Sequence, residues 1–156
     1  MRIIGVDPGQ RTGFAVIEGD KVIKSGVIDT GDATSYEGLQ HIYEGMAKVL
    51  DETAPDVLVC ESLFYHKNIK SLVKLAETKA VICLAAIQHS IPVVEYTPRE
   101  IKLAITGNGN ASKQQVRYMV EQMFGIKVDD VHVADALASA ICHRERTAHN
   151  VGLREG

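Results

Sequence analysis

An apolar run, Ile3-Ile4-Gly5-Val6, climbs to Asp7 and breaks at once on Pro8-Gly9. It resumes at Thr12-Gly13-Phe14-Ala15-Val16-Ile17. Both flanks are short and rich in β-branched residues, which predicts two strands joined by a tight turn. Asp7 is then the last residue of a buried strand. An unpaired carboxylate there would cost several kcal/mol, so it needs a cation, a hydrogen-bond donor or a chemical role. Asp-Pro-Gly is also ordinary turn chemistry, and what decides between the two is whether other carboxylates meet it.

The chain downstream supplies them. Glu18-Gly19-Asp20-Lys21 reads as a hairpin turn into a third strand, Val22 to Ile28, giving an antiparallel meander. Gly31-Asp32 closes this unit, and Thr34-x-x-Glu37 reads as a capping box. Tyr36, Leu39, Ile42, Tyr43, Met46, Val49 and Leu50 recur at spacings of three and four, one face of a helix. Asp56-Val57-Leu58-Val59-Cys60 is a strand apolar enough to be covered on both faces, and it ends on Glu61.

A loop, Ser62 to Asn68, carries the adjacent aromatics Phe64 and Tyr65. A long helix follows, about residues 69–89, basic in its first half and apolar nearly all round from Ala80 to Ile87. Val93 to Tyr96 makes a fifth strand, and Thr97-Pro98 opens a short helix. Ser112-x-x-Gln115 caps another, which stops at Gly125. The last helix spans about residues 133–146, and a polar, frayed tail follows from Thr147. The reading is α/β: a five-stranded mixed sheet with helices on both faces, one domain over residues 1–147, and a short disordered tail over 148–156.

Size and composition agree with one soluble globule: 156 residues, 46% hydrophobic and 24% charged. No run reaches the length of a membrane span, and Met1 leads almost directly into the first strand, so a cytoplasmic protein is expected. Cys60, Cys83 and Cys142 are scattered among apolar neighbours and read as buried thiols. The net charge of −3 hides an asymmetry: residues 1–61 hold 5 Lys+Arg against 11 Asp+Glu, whereas residues 62–156 hold 12 against 9. A basic face beside an acidic pocket is consistent with that split.

Asp7 and Glu61 end strands that should lie side by side. His132 and Asp135, three apart at the start of the last helix, share one face. Packing that helix start against the strand ends would unite all four. Carboxylates crowded together repel, and hard divalent cations such as Mg²⁺ or Mn²⁺ relieve them. Two such ions could clamp a phosphodiester and activate a water, which is nuclease chemistry.

The sequence resembles the bacterial RuvC family of Holliday-junction resolvases over about residues 2–146. The resemblance rests on Ile4-Gly5-Val6-Asp7-Pro8-Gly9, Glu61-Ser62-Leu63-Phe64, Glu95-Tyr96-Thr97-Pro98-Arg99, Gly107-Asn108-Gly109-Asn110-Ala111-Ser112-Lys113 and Ala134-Asp135-Ala136-Leu137-Ala138, in that order. It implies an RNase H-like fold, a homodimer, paired symmetric cuts in four-way DNA junctions during recombination and repair, and a branch-migration complex, RuvA and RuvB, as partner. It implies that Asp7, Glu61 and Asp135 bind metal, with two Mg²⁺ per site and Mn²⁺ as a substitute. Many relatives carry Asp where this chain has His132, so the fourth position is either a ligand or a group that orients the attacking water, with Asp129 and Asp130 as nearby substitutes that fall off the family pattern. Phe64 matches the aromatic that wedges among junction bases, with Tyr65 beside it. Lys102 and Lys113 match basic positions at the site, and Lys67, Arg99 and Arg117 are further candidates for the DNA backbone track. Part of the apolar helix, Ala80 to Ile87, is the expected dimer seam. The rival expectations are another RNase H-like nuclease such as a ribosomal-RNA-processing enzyme, a non-catalytic junction binder, and an ATP-binding protein of the actin-like fold. The last requires two domains.

Overall fold

The computed structural model describes residues 1–30, 36–63 and 68–154. Within them the strands are β1 (Arg2–Asp7), β2 (Arg11–Glu18), β3 (Lys21–Asp29), β4 (Val57–Glu61) and β5 (Val93–Tyr96). The helices are α1 (Tyr36–Thr53), α2 (Ile69–Gln88), α3 (Pro98–Thr106), α4 (Lys113–Phe124) and α5 (Val131–Arg154). The strands form one sheet in the order β3-β2-β1-β4-β5. β1, β2 and β3 are the antiparallel meander, and β4 and β5 add in parallel beside β1. This is the expected mixed sheet.

Alternation along the strands divides the core into two layers. Ile3, Ala15, Ile17, Val57 and Val59 face α3, α4 and α5. Ile4, Val6, Phe14, Val16, Leu58 and Cys60 face α1 and α2. With a side-chain period of two, Asp7 and Glu61 follow Ile3 and Val57 onto the α5 side. Register then aligns them, because Val6 pairs with Cys60 and each acid is the next residue along.

The α5 side narrows toward those acids. A β-carbon on Gly5 would lie 1.9 Å from the Ala136 carbonyl oxygen, and one on Gly13 would lie 2.3 Å from that of His132. Gly13 is also the ladder partner of Asp7. Two missing side chains therefore let the first turns of α5 rest on the sheet backbone beside Asp7.

The local stop and start signals act where the sequence puts them. Thr97 with Glu100 and Ser112 with Gln115 form full capping boxes, and Gly125 ends α4 in the left-handed conformation. The capping box at Thr34 lies outside the described residues. Cys60 and Cys142 are buried as expected, while Cys83 is partly exposed.

The apolar stretch of α2 is divided rather than enclosed. Ile82, Ala85 and Ala86 are buried, but Leu84 and Ile87 stay 51% and 60% exposed. At the C-terminus the expected disordered tail gives way to helix, since α5 continues to Arg154. No proline interrupts it, and the Thr147 hydroxyl donates back to the His143 carbonyl, one turn earlier. Among the described residues, no helix is long and apolar enough to cross a membrane.

Candidate active site

Five elements line one small cavity of about 70 Å³. β1 supplies Val6 and Asp7, β4 supplies Glu61, α5 supplies Asp135, Ala138 and Ser139, and α3 and α4 supply Lys102 and Lys113. His132 stands at its edge, where Nδ1–H donates to Asp7 Oδ2 at 2.9 Å. Lys113 Nζ reaches Asp135 Oδ2 at 3.4 Å.

The end of β4 is held firmly. Ser62 donates both its backbone N–H (2.8 Å) and its hydroxyl (3.3 Å) to the Tyr96 carbonyl. The Tyr96 hydroxyl in turn meets His143 Nδ1 at 2.8 Å, tying β5 to the middle of α5. Glu61 thus sits on a strand end that is fixed to the same helix that carries Asp135.

The electrostatics are those of crowded acids. Burial pushes the Asp7 carboxyl above its ordinary value; the His132 hydrogen bond opposes this, Asp135 adds to it, and Lys113 pulls back. Glu61 is also raised, first by the protein packed around it and then by Asp135 and Asp7, with Lys113 and Lys102 opposing. Such a pocket favours a cation. Oxygen-rich donors with one imidazole suit a hard divalent ion. Among the described residues, no three donors converge on a single point.

The family model described as crossover junction endodeoxyribonuclease RuvC matches residues 3–143. The chain belongs to the RuvC family. A crossover junction endodeoxyribonuclease RuvC of Thermosipho melanesiensis is 42% identical over 152 residues, covering 91% of this chain and 96% of that one. Its counterpart in Hydrogenovibrio crunogenus is 40% identical over 148 residues, covering 91% and 86%. The structure of Thermus thermophilus RuvC in complex with a Holliday junction substrate superposes with a TM-score of 0.89, at 27% identity and 96% coverage of both chains.

The other RuvC-like positions divide. Lys102 and Lys113 line the cavity. Arg99 is not among the lining residues; it hydrogen-bonds Asn110 at 3.0 Å, and a β-carbon on Gly109 would lie 2.8 Å from its Cγ. Arg117 does not line the cavity: it pairs with Glu121 at 3.2 Å and donates to the Val128 carbonyl, tying α4 to the segment before α5. Phe64, Tyr65 and Lys67 lie outside the described residues. Sequence reasoning missed Ser139, which lines the cavity one turn beyond Asp135. The i, i+4 spacing on α5 was the available signal.

Proposed function

We propose that this chain is a cytoplasmic, metal-dependent endonuclease that resolves four-way DNA junctions in recombination and repair, cutting two strands symmetrically and leaving ligatable nicks. Membership of the RuvC family supports the activity. The observation that carries the site assignment is the meeting of Asp7, Glu61 and Asp135, from three separate elements, around one cavity flanked by Lys102 and Lys113.

In this reading Asp7, Glu61 and Asp135 hold the metal, two Mg²⁺ ions with Mn²⁺ able to replace them. Bound divalent ions supply Lewis-acid activation of the phosphodiester and a water of lowered pKa. His132 orients Asp7 through its Nδ1–H and stands where it can ligate or position the attacking water. Lys113 and Lys102 hold the scissile phosphate and offset the charge that develops on it. Phe64, with Tyr65, stacks on bases at the branch point, where such stacking contributes about 1–3 kcal/mol per base. Lys67 and Arg99 follow the backbone.

Paired cuts need two sites. Ile69, Val73, Leu84 and Ile87 are exposed along one face of α2, with Ala80 between them. That stripe supports a homodimer seam on α2. A branch-migration complex, RuvA and RuvB, is the partner that would deliver the junction. The test of the site is Asp7→Asn: junction binding should survive while cutting is lost. Continued cutting would remove Asp7 from the site.

A further inference from the structure

The start of α5 is not held to the sheet by packing alone. Asp130 stands just before it and uses both carboxylate oxygens. Oδ1 accepts from the backbone N–H of His132 at 2.8 Å and of Val133 at 3.3 Å, satisfying donors that the first turn leaves free. Oδ2 accepts from Arg11 at 2.9 Å. The second arm of the Arg11 fork reaches Asp29 Oδ2, also at 2.9 Å, across the β2–β3 ladder. Arg11 lies four residues beyond Asp7, at the far side of the same turn.

One guanidinium therefore joins three things: the turn that carries Asp7, the end of β3, and the cap of the helix that carries His132 and Asp135. We propose that Arg11 and Asp130 are positioning residues for metal binding, a clip that sets the spacing between Asp7 on β1 and His132 with Asp135 on α5. This rests on the metal-dependent reading of the site given above. Asp7 and Asp135 repel one another, and nothing in that repulsion favours the short spacing that a shared ion needs. A planar fork with two fixed acceptors resists the separation in a way a single ammonium cannot. Both side chains are partly exposed, so the ion pair contributes little to global stability. Its effect belongs to geometry, and groups that orient metal ligands commonly change affinity by about 10–100-fold when removed.

The experiment measures Mn²⁺ binding to the full chain without DNA, by electron paramagnetic resonance. Site binding is counted as the part lost in Asp7→Asn. Arg11→Gln is the deciding variant. Removing a cation near an acidic site tightens Mn²⁺ binding if Arg11 acts only through its field, whereas loss of the clip weakens it, by about tenfold. Arg11→Lys keeps the charge without the fork and is expected to bind as weakly as Arg11→Gln. Asp130→Asn keeps an oxygen for the cap and loses the ionic link, and combining it with Arg11→Gln should add little, because both break one connection. Thermal unfolding of Arg11→Gln should match the wild type. Unchanged or tighter binding in Arg11→Gln overturns the proposal while leaving the nuclease reading in place. Absence of site binding in the wild type itself overturns both.

Discussion

Gly13 and His132 meet backbone to backbone: a β-carbon on Gly13 would lie 2.3 Å from the His132 carbonyl oxygen and 2.4 Å from its carbonyl carbon. Because Gly13 also faces Asp7 across the ladder, the contact sets how closely His132 can approach Asp7. Gly13→Ala must push α5 away from the sheet. Backbone atoms yield less readily than a side-chain tip, so a cost of about 1–3 kcal/mol in urea unfolding is expected. Junction cutting should fall further than in Val49→Ala, a substitution in the opposite core layer. Equal loss of activity in two equally destabilised proteins would contradict the role assigned to this contact.

Asp7→Asn should stabilise the protein at neutral pH while abolishing cutting. A carboxyl raised in the folded state disfavours folding once it ionises. Stability is therefore full below the ordinary carboxylate range, about pH 4, and declines as pH rises through the elevated folded value. Burial is the main cause of the elevation at Asp7, and an amide escapes it. In EDTA at pH 7 the variant should melt above the wild type, and the gap should close below about pH 4. Adding Mg²⁺ should raise the melting temperature of the wild type and leave the variant where it was. A variant that melts lower at pH 7 than at pH 4, relative to wild type, would reverse the sign of this argument.

Lys113 is 78% exposed and pairs with Asp135 at 3.4 Å. It has little structural work, so Lys113→Ala should leave the melting curve unchanged. Loss of a group that offsets developing charge costs about 10²-fold in turnover. Loss of one phosphate contact should also reduce the salt slope of junction binding by about one. Wild-type single-turnover rates in Lys113→Ala would exclude Lys113 from the chemistry.

Much of this site was legible in the chain because β-strand parity is local. An apolar run ending on an acid, met twice, put Asp7 and Glu61 at neighbouring strand ends, and their shared face follows from the alternation of Ile3, Gly5 and Asp7 against Val57, Val59 and Glu61. The spacing of His132 and Asp135 gave one helix face in the same way. What was hidden depends on long-range contact. Arg11 and Asp130 are 119 residues apart, and nothing local in the chain pairs them. Arg117 reads from the chain as a basic residue for the DNA backbone, and its reach to Glu121 and the Val128 carbonyl follows only from tertiary packing. α5 runs past the end its apolar pattern suggests because polar residues after Thr147 carry no start or stop of their own, and a long helix already nucleated simply continues through them.

The α2 stripe gives a prediction for assembly. Leu84 projects outward between Ala80 and Ile87, so Leu84→Asp should place a charge in the seam and leave the fold intact. Sedimentation should show a dimer for the wild type and a monomer for Leu84→Asp. The monomer should nick a junction in one strand at a time. A dimer that persists in Leu84→Asp would move the seam elsewhere.

The most direct measurement pairs a labelled synthetic four-way junction with a linear duplex of the same sequence, incubated with the purified chain in Mg²⁺, Mn²⁺ or EDTA. The account predicts symmetric nicks in two strands of the junction, dependent on metal, and an intact duplex. Equal cutting of the duplex, cutting in EDTA, or tight junction binding with no cleavage in either metal would contradict it.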